Sequence, residues 1–162
     1  MINRLITFEG IDGSGKSTQI KLLNEWFESL NIDKINIREP GGNDVSELIR
    51  SILLDKNNKI DSFSETLLFL ASRSQLTDTM IIPALQKDKF VICDRFIDST
   101  LAYQVFGKGV NKNMVNAIHK YILGNIKPDL TFILKVNISK ALLRLNKRKK
   151  KNRYDKFSKN FY

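Results

Sequence analysis

The sequence predicts one α/β domain in three layers, a parallel sheet with helices on both faces, and three observations carry that prediction. Short apolar runs alternate with longer segments of helical spacing along the chain. The first run, Leu5 to Phe8, passes through glycines straight into a helical segment, as a strand does where a crossover begins. Polar clusters follow three of the runs directly: a glycine loop after the first, Arg38-Glu39 after the second and Asp94-Arg95 after the third. In a sheet of this kind the carboxyl ends of the strands share one crevice, so the three clusters should meet there.

The first strand, with Leu5, Ile6 and Phe8 buried, leads into Gly10-Ile11-Asp12-Gly13-Ser14-Gly15-Lys16-Ser17-Thr18, which fits G-x-x-x-x-G-K-[ST]. Small residues there let successive backbone N–H groups converge on phosphate oxygens at the positive end of the following helix. Lys16 is expected against the β- and γ-phosphates, and Ser17 on a bridging Mg²⁺. A glycine turn that merely precedes a helix is the bland alternative, but strand, loop and helix stand in the required order. The helix continues through Ile20, Leu22, Leu23, Trp26, Phe27 and Leu30.

Lys34 to Arg38 alternates as a second strand and stops at Glu39-Pro40-Gly41-Gly42. Asn43 or Asp44 can cap a helix reaching Leu54, with Val45, Leu48, Ile49, Ile52 and Leu53 on its apolar side. A long helix is expected from about Ser62 to Gln86, bent or ended by Pro83. Phe90 to Cys93 is the third strand, and its Cys93 is read as a buried residue. Asp94 after it suits a carboxylate that orders Mg²⁺, and Arg95 one that neutralises phosphate. Helices are predicted over Ile97 to Phe106 and Asn113 to Leu123, with His119, between Ile118 and Lys120, at the surface. Leu130 to Val136 is the fourth strand, and Ser139 is expected to cap the helix after it.

Length and composition fit that plan. The 162 residues are 42% hydrophobic and 27% charged, enough for one domain with a real core. No stretch of eighteen apolar residues and no leader-like segment is present, which points to the cytoplasm and away from a membrane. The net charge of +10 is concentrated: between Arg144 and Lys159 nine basic residues face Asp155 alone, leaving the rest nearly balanced. A nucleic-acid patch would interleave aromatics, and here only Tyr154 and Phe157 do so.

The segments FEGIDGSGKST (Phe8 to Thr18), REPGG (Arg38 to Gly42), LLFLASR (Leu67 to Arg73) and DRFIDSTLAYQ (Asp94 to Gln104) closely resemble the bacterial-type thymidylate kinases. A phosphate loop by itself would leave other nucleotide kinases open; the last segment is far narrower. The resemblance implies a P-loop nucleoside-monophosphate-kinase fold that moves the γ-phosphoryl of ATP to dTMP, using Mg²⁺. It implies that Gly10, Gly13, Ser14, Gly15, Lys16, Ser17 and Thr18 hold the donor, and that Ser17 and Asp94 serve the metal. For the acceptor, Asp12 would accept from the 3′-hydroxyl, Phe69 would stack on thymine and Arg73 would reach its O4. Arg38 and Arg95 would hold the dTMP phosphate, Ser99 and Tyr103 would flank the deoxyribose, and Gln104 would address the pyrimidine edge.

In this family an arginine reaches the transferred phosphoryl from the loop or from a mobile lid, and Gly13 stands at the loop position. A lid over about 144–157 is therefore expected, with Arg153 as its catalytic arginine beside Lys16, Asp94 and Arg95, and with Arg144 and Arg148 helping to hold the donor. Gly13→Arg combined with Arg153→Ala would test whether the loop and lid positions are exchangeable. The resemblance further implies a homodimer and no nucleic-acid partner. Measured against it, residues 1–162 would form one domain without the family's last strand and helix, leaving an uncovered sheet edge. Two other outcomes stay open on the residues: a nucleotide-binding remnant without turnover, and a kinase for another nucleotide.

Overall fold

The computed structural model describes residues 4–147 and 153–156. Four parallel strands, β1 (Leu5–Glu9), β2 (Lys34–Arg38), β3 (Phe90–Asp94) and β4 (Leu130–Ile133), form a sheet of order β2-β3-β1-β4. Register pairs Leu5 with Val91, Ile6 with Leu130 and Lys34 with Phe90, which brings Glu9, Arg38 and Asp94 to the same edge. The central strands are buried, as continuous apolar runs require when both faces are covered.

Alternation along β1 and β3 divides the core. Ile6, Phe8 and Ile92 pack with Phe27, Ile20 and Leu23 of α1 (Lys16–Ser29) on one face. Leu5, Val91 and Cys93 pack on the other with Leu76, Ile81 and Ala84, from the segment containing α3 (Ser62–Leu76) and α4 (Ile82–Gln86), and with Leu123 of α6 (Lys112–Leu123). The helix α2 (Asp44–Leu54) lies against α3. Asn43 rather than Asp44 caps α2, its side chain accepting from the Ser46 amide at 2.8 Å.

Pro83 does not end the long helix, which runs on to Gln86. A π turn over Thr77–Ile81 precedes α4, and the Ile82 amide donates to the Thr77 carbonyl, so the ladder is already widened where proline lacks its N–H. The helix after β3 is likewise two pieces, α5 (Ile97–Thr100) and a π turn over Leu101–Phe106 closed by Gly107 donating to Ala102 at 2.9 Å. β4 ends at Ile133, three residues short of the expected bound, although the Leu134 amide still reaches the Glu9 carbonyl at 2.8 Å. The chain then turns into α7 (Ile138–Asn146), whose cap is Asn137, not Ser139: Asn137 accepts from the Ser139 amide at 2.9 Å.

Among the described residues β4 is an outer strand, its Phe132 stacked on Phe8 at 5.0 Å and its Ile133 exposed. No helix among the described residues is long and apolar enough to cross a membrane.

Candidate active site

The three polar clusters line one cavity of about 680 Å³. Its floor is the loop after β1. Gly10 and Gly13 take positive φ values of 135° and 79°, and both are crowded from outside: a Cβ on Gly10 would lie 2.6 Å from the Leu134 carbonyl oxygen, and one on Gly13 would lie 2.7 Å from that of Ala141. Position 13 therefore cannot hold an arginine without displacing the backbone of α7, so Gly13→Arg would not by itself test whether loop and lid are exchangeable.

Lys16 is buried and donates to the carbonyls of Gly10 and Ile11 at 2.9 and 3.1 Å. Burial first, and then Arg95, lower its pKa to about 8, against the opposing charges of Asp94, Asp12 and Glu9. Ser14, Ser17 and Thr18 line the same cavity, and so does Arg144, which donates from Nη1 to the Gly13 carbonyl at 2.9 Å. The Asp94 side chain faces the loop with a buried Oδ1 that has no hydrogen-bond partner among the described residues. A single carboxylate oxygen together with the Ser17 hydroxyl suits Mg²⁺, which takes few protein ligands and completes its shell with phosphate and water.

Arg95 sits at the mouth in a left-handed backbone conformation, φ 73°. It donates to Asp12 Oδ1 at 2.7 Å and to Ser99 Oγ at 2.9 Å, and lies 5.3 Å from the centre of the Tyr103 ring. Burial is the largest influence and opposes its charge, but Asp12, Tyr103 and Asp94 together outweigh it and hold Arg95 above its usual value. Glu9, which the sequence reading passed over, fixes this corner: Oε1 accepts from the Phe96 amide at 2.7 Å and Oε2 from Ser99 Oγ at 2.6 Å. An acid closing a buried strand immediately before a glycine loop was the signal.

The far end of the cavity is walled by Phe69, Arg73, Gln104 and Tyr154. Tyr154 meets Phe69 and Tyr103 edge-on at 6.2 and 6.4 Å. Arg73, instead of snorkelling, is almost wholly buried: Nε donates to Glu39 Oε2 at 2.7 Å, Nη2 donates to the same oxygen, and Nη1 lies 2.5 Å from His119 Nε2. His119 is thus a buried residue of α6, not a surface one. It belongs to the buried stripe Val115, His119, Leu123, whose four-residue spacing was visible beforehand.

Gln104 donates to Glu65 Oε1 at 3.0 Å. Glu65 also accepts from Lys108 at 2.6 Å and from Arg153, so the turn Arg153–Lys156 is tied to α3 there. Arg153 is therefore directed at Glu65, outside the cavity lining, while its neighbour Tyr154 is inside it. Arg148, the other expected helper, lies outside the described residues. Arg38 lines the cavity while paired with both Glu47 oxygens at 3.1 Å. Arg50, also missed, joins it from α2 and donates to the Pro40 carbonyl at 2.6 Å. Burial, followed by the charge of Arg38, lowers its pKa.

A sequence profile for thymidylate kinase matches residues 8–162. A thymidylate kinase of Chlorobium phaeobacteroides is 48% identical over 145 residues, covering 90% of this chain and 66% of that protein. One from Wolbachia pipientis wMel is 47% identical over 160 residues, 97% of this chain and 78% of the relative. The crystal structure of thymidylate kinase from Ehrlichia chaffeensis superposes with a TM-score of 0.77 at 42% identity, over 88% of this chain and 77% of that one. The chain thus spans about two thirds to four fifths of the length of these relatives.

Proposed function

The chain belongs to the thymidylate kinase family, and on that premise we propose that it transfers the γ-phosphoryl group of Mg-ATP to dTMP, yielding dTDP and ADP. The observation that carries this reading is the continuity of one cavity from a phosphate loop, with Lys16 and Ser17, to a wall holding an aromatic ring and a buried guanidinium, Phe69 and Arg73. Lys16 leaves its own loop carbonyls for the β- and γ-phosphates of the donor. Gly10, Gly13, Ser14, Gly15 and Thr18 turn backbone and hydroxyl groups to the same phosphates. Ser17 and Asp94 would hold Mg²⁺, which when bound would screen charge on the donor phosphates.

On the acceptor side Arg38 and Arg95 hold the dTMP phosphate, and Asp12 accepts from the 3′-hydroxyl. Ser99 and Tyr103 flank the sugar, Tyr103 crowding a 2′-hydroxyl. Phe69 stacks on thymine, Arg73 donates to its O4 and Gln104 addresses its edge. The acceptor oxygen is already ionised, so no general base is needed; a dTMP oxygen forms the new P–O bond while ADP departs with the electrons of the old one. Catalysis is then positioning and charge neutralisation. Arg144 and Arg148 serve the donor, and Arg153 belongs to a lid over about 144–157 that closes on the transferred group. The acting form is a cytoplasmic homodimer without nucleic acid, built on the apolar face shared by Val45, Leu48, Phe63 and Leu67, which stands exposed here.

Coupled detection of ADP release with dTMP, dUMP, dCMP and dGMP offered in turn beside Mg-ATP tests the reading. Strong preference for dTMP is expected; preference for dGMP, or release independent of the acceptor, would overturn it.

A further inference from the structure

The lone histidine of the chain lies outside the cavity, yet it touches the guanidinium proposed to read the base. Arg73 carries five N–H groups in a rigid plane. One on Nε and one on Nη2 go to Glu39 Oε2, which comes from the segment after β2; a third, on Nη1, faces His119 Nε2 on α6. The plane itself lies over the Phe96 ring, with 5.2 Å from Cζ to the ring centroid. Two N–H groups are left, one on Nη1 and one on Nη2, for a ligand in the cavity that Arg73 lines. Glu39 alone would hold the guanidinium from the Nε and Nη2 side only; the contact at Nη1 holds it from a second direction.

We propose that His119 is a positioning residue for acceptor recognition: its neutral imidazole accepts from Arg73 Nη1 and thereby fixes the direction in which Arg73 offers its remaining N–H groups to a carbonyl of the base. The proposal rests on the reading of Arg73 as the base-contacting residue. An acceptor role requires Nε2 to be bare, which places the ring proton on Nδ1. A protonated ring would set two cations in contact at a buried site, an arrangement that desolvation and repulsion both oppose. Burial and then Arg73 lower the pKa of His119 to about 4, in keeping with the neutral form. The groups facing the ring are Arg73 from α3 and, behind it, Glu39, whose own carboxyl is pushed upward by burial against the pull of Arg73.

The consequence is specificity at the 4-position of the pyrimidine. A fixed donor favours a 4-carbonyl, as in thymine and uracil, over the 4-amino group of cytosine, because the wrong base leaves a buried donor facing a donor.

Two measurements test it. First, a chain with a single histidine gives one imidazole in a ¹⁵N spectrum. The proposal expects the Nδ1–H tautomer, neutral around pH 7 and well below it, with a ring signal that moves when dTMP is added; titration in the ordinary histidine range would overturn it. Second, His119→Met should raise the KM for dTMP about tenfold with kcat changed less than about threefold, and lower the dTMP-over-dCMP ratio of kcat/KM about tenfold. His119→Gln, which restores an acceptor, should recover most of both. If His119→Met stays within about twofold of the parent while Arg73→Ala loses the discrimination, the positioning role falls and the base-contact reading stands. If Arg73→Ala also keeps the discrimination, both fall. A folded His119→Gln as impaired as His119→Met would show that the contact is packing alone. Should His119→Met not fold, the spectrum of the parent decides.

Discussion

Replacing Glu65 by glutamine should cost the fold about 2–3 kcal/mol, which is more than a typical substitution. The side chain is fully buried on α3 and accepts from Gln104 and Lys108, in and just after the π turn over Leu101–Phe106, and from Arg153 on a second segment. An amide keeps one oxygen, which can still serve Gln104 and Lys108 at Oε1. Its NH₂ then meets the Arg153 guanidinium donor to donor, and Lys108 loses the charge opposite it. Each charge-assisted hydrogen bond is worth roughly 1.5–3 kcal/mol. Breaking a fully buried pair costs about 3–5 kcal/mol. Here Lys108 and Arg153 keep 17% and 16% of their side-chain surface and can turn to water, so the lower part of that scale applies. For a domain of this size about 2–4 °C of Tm accompanies each kcal/mol, giving a fall of roughly 5–10 °C. Thermal and urea unfolding of Glu65→Gln, Lys108→Met and the double variant would check it, with a coupling of about 1–2 kcal/mol expected from the cycle. A loss under about 0.5 kcal/mol for Glu65→Gln would refute the reasoning, because the three contacts would then be no better than contacts to water.

The remaining predictions concern the site. In the free protein Lys16 gives up its proton as pH rises through about 8, and phosphates favour the charged form. ATP affinity should therefore weaken above that pH, with proton uptake on binding near it; a calorimetric enthalpy independent of the buffer would refute this. For the fold alone the unfolded chain keeps the Lys16 proton to 10.5, so stability should rise between about 8 and 10.5, as pH-dependent urea midpoints can test. If Arg153 leaves Glu65 to cover the transferred phosphoryl, Arg153→Ala should lower kcat about 10³-fold with a much smaller effect on the KM for dTMP; an unchanged kcat in steady-state assays would leave it only the tie to α3. Leu48→Glu, at an exposed position of α2, should shift sedimentation from dimer to monomer, and an unaltered sedimentation coefficient would remove that face from the interface.

Sequence and structure agree most closely where chemistry is local. The strand, glycine loop and helix around Lys16 are consecutive, and the three strand ends meet because parallel strands in register carry their final residues to one edge. What the chain hid are pairings between distant elements. Glu39 and Arg73 lie 34 positions apart, Arg73 and His119 lie 46 apart, and neither distance leaves a trace in periodicity. Arg50 lies on α2 and Glu65 in the first turn of α3, and neither position marks a partner in the sequence; only the packing of α2 and of the Arg153 turn reveals their neighbours. His119 was readable in part. Its place in the stripe with Val115 and Leu123 argued for burial, while a flanking lysine suggested solvent.

The contact between Gly13 and Ala141 bears on how sequences of this kind can change. A side chain at position 13 meets the backbone of a helix, which cannot rotate out of the way as a side chain would. The route by which an arginine reaches the transferred group is then settled by where α7 is seated, before any arginine is in place. Substitution at position 13 alone is a dead end, since the first step is a clash with no catalytic return. The reverse order, in which α7 shifts and the loop then acquires a side chain, is open. Positions 13 and 141 should accordingly vary together among related chains, bulk at the first appearing only where the helix start has moved.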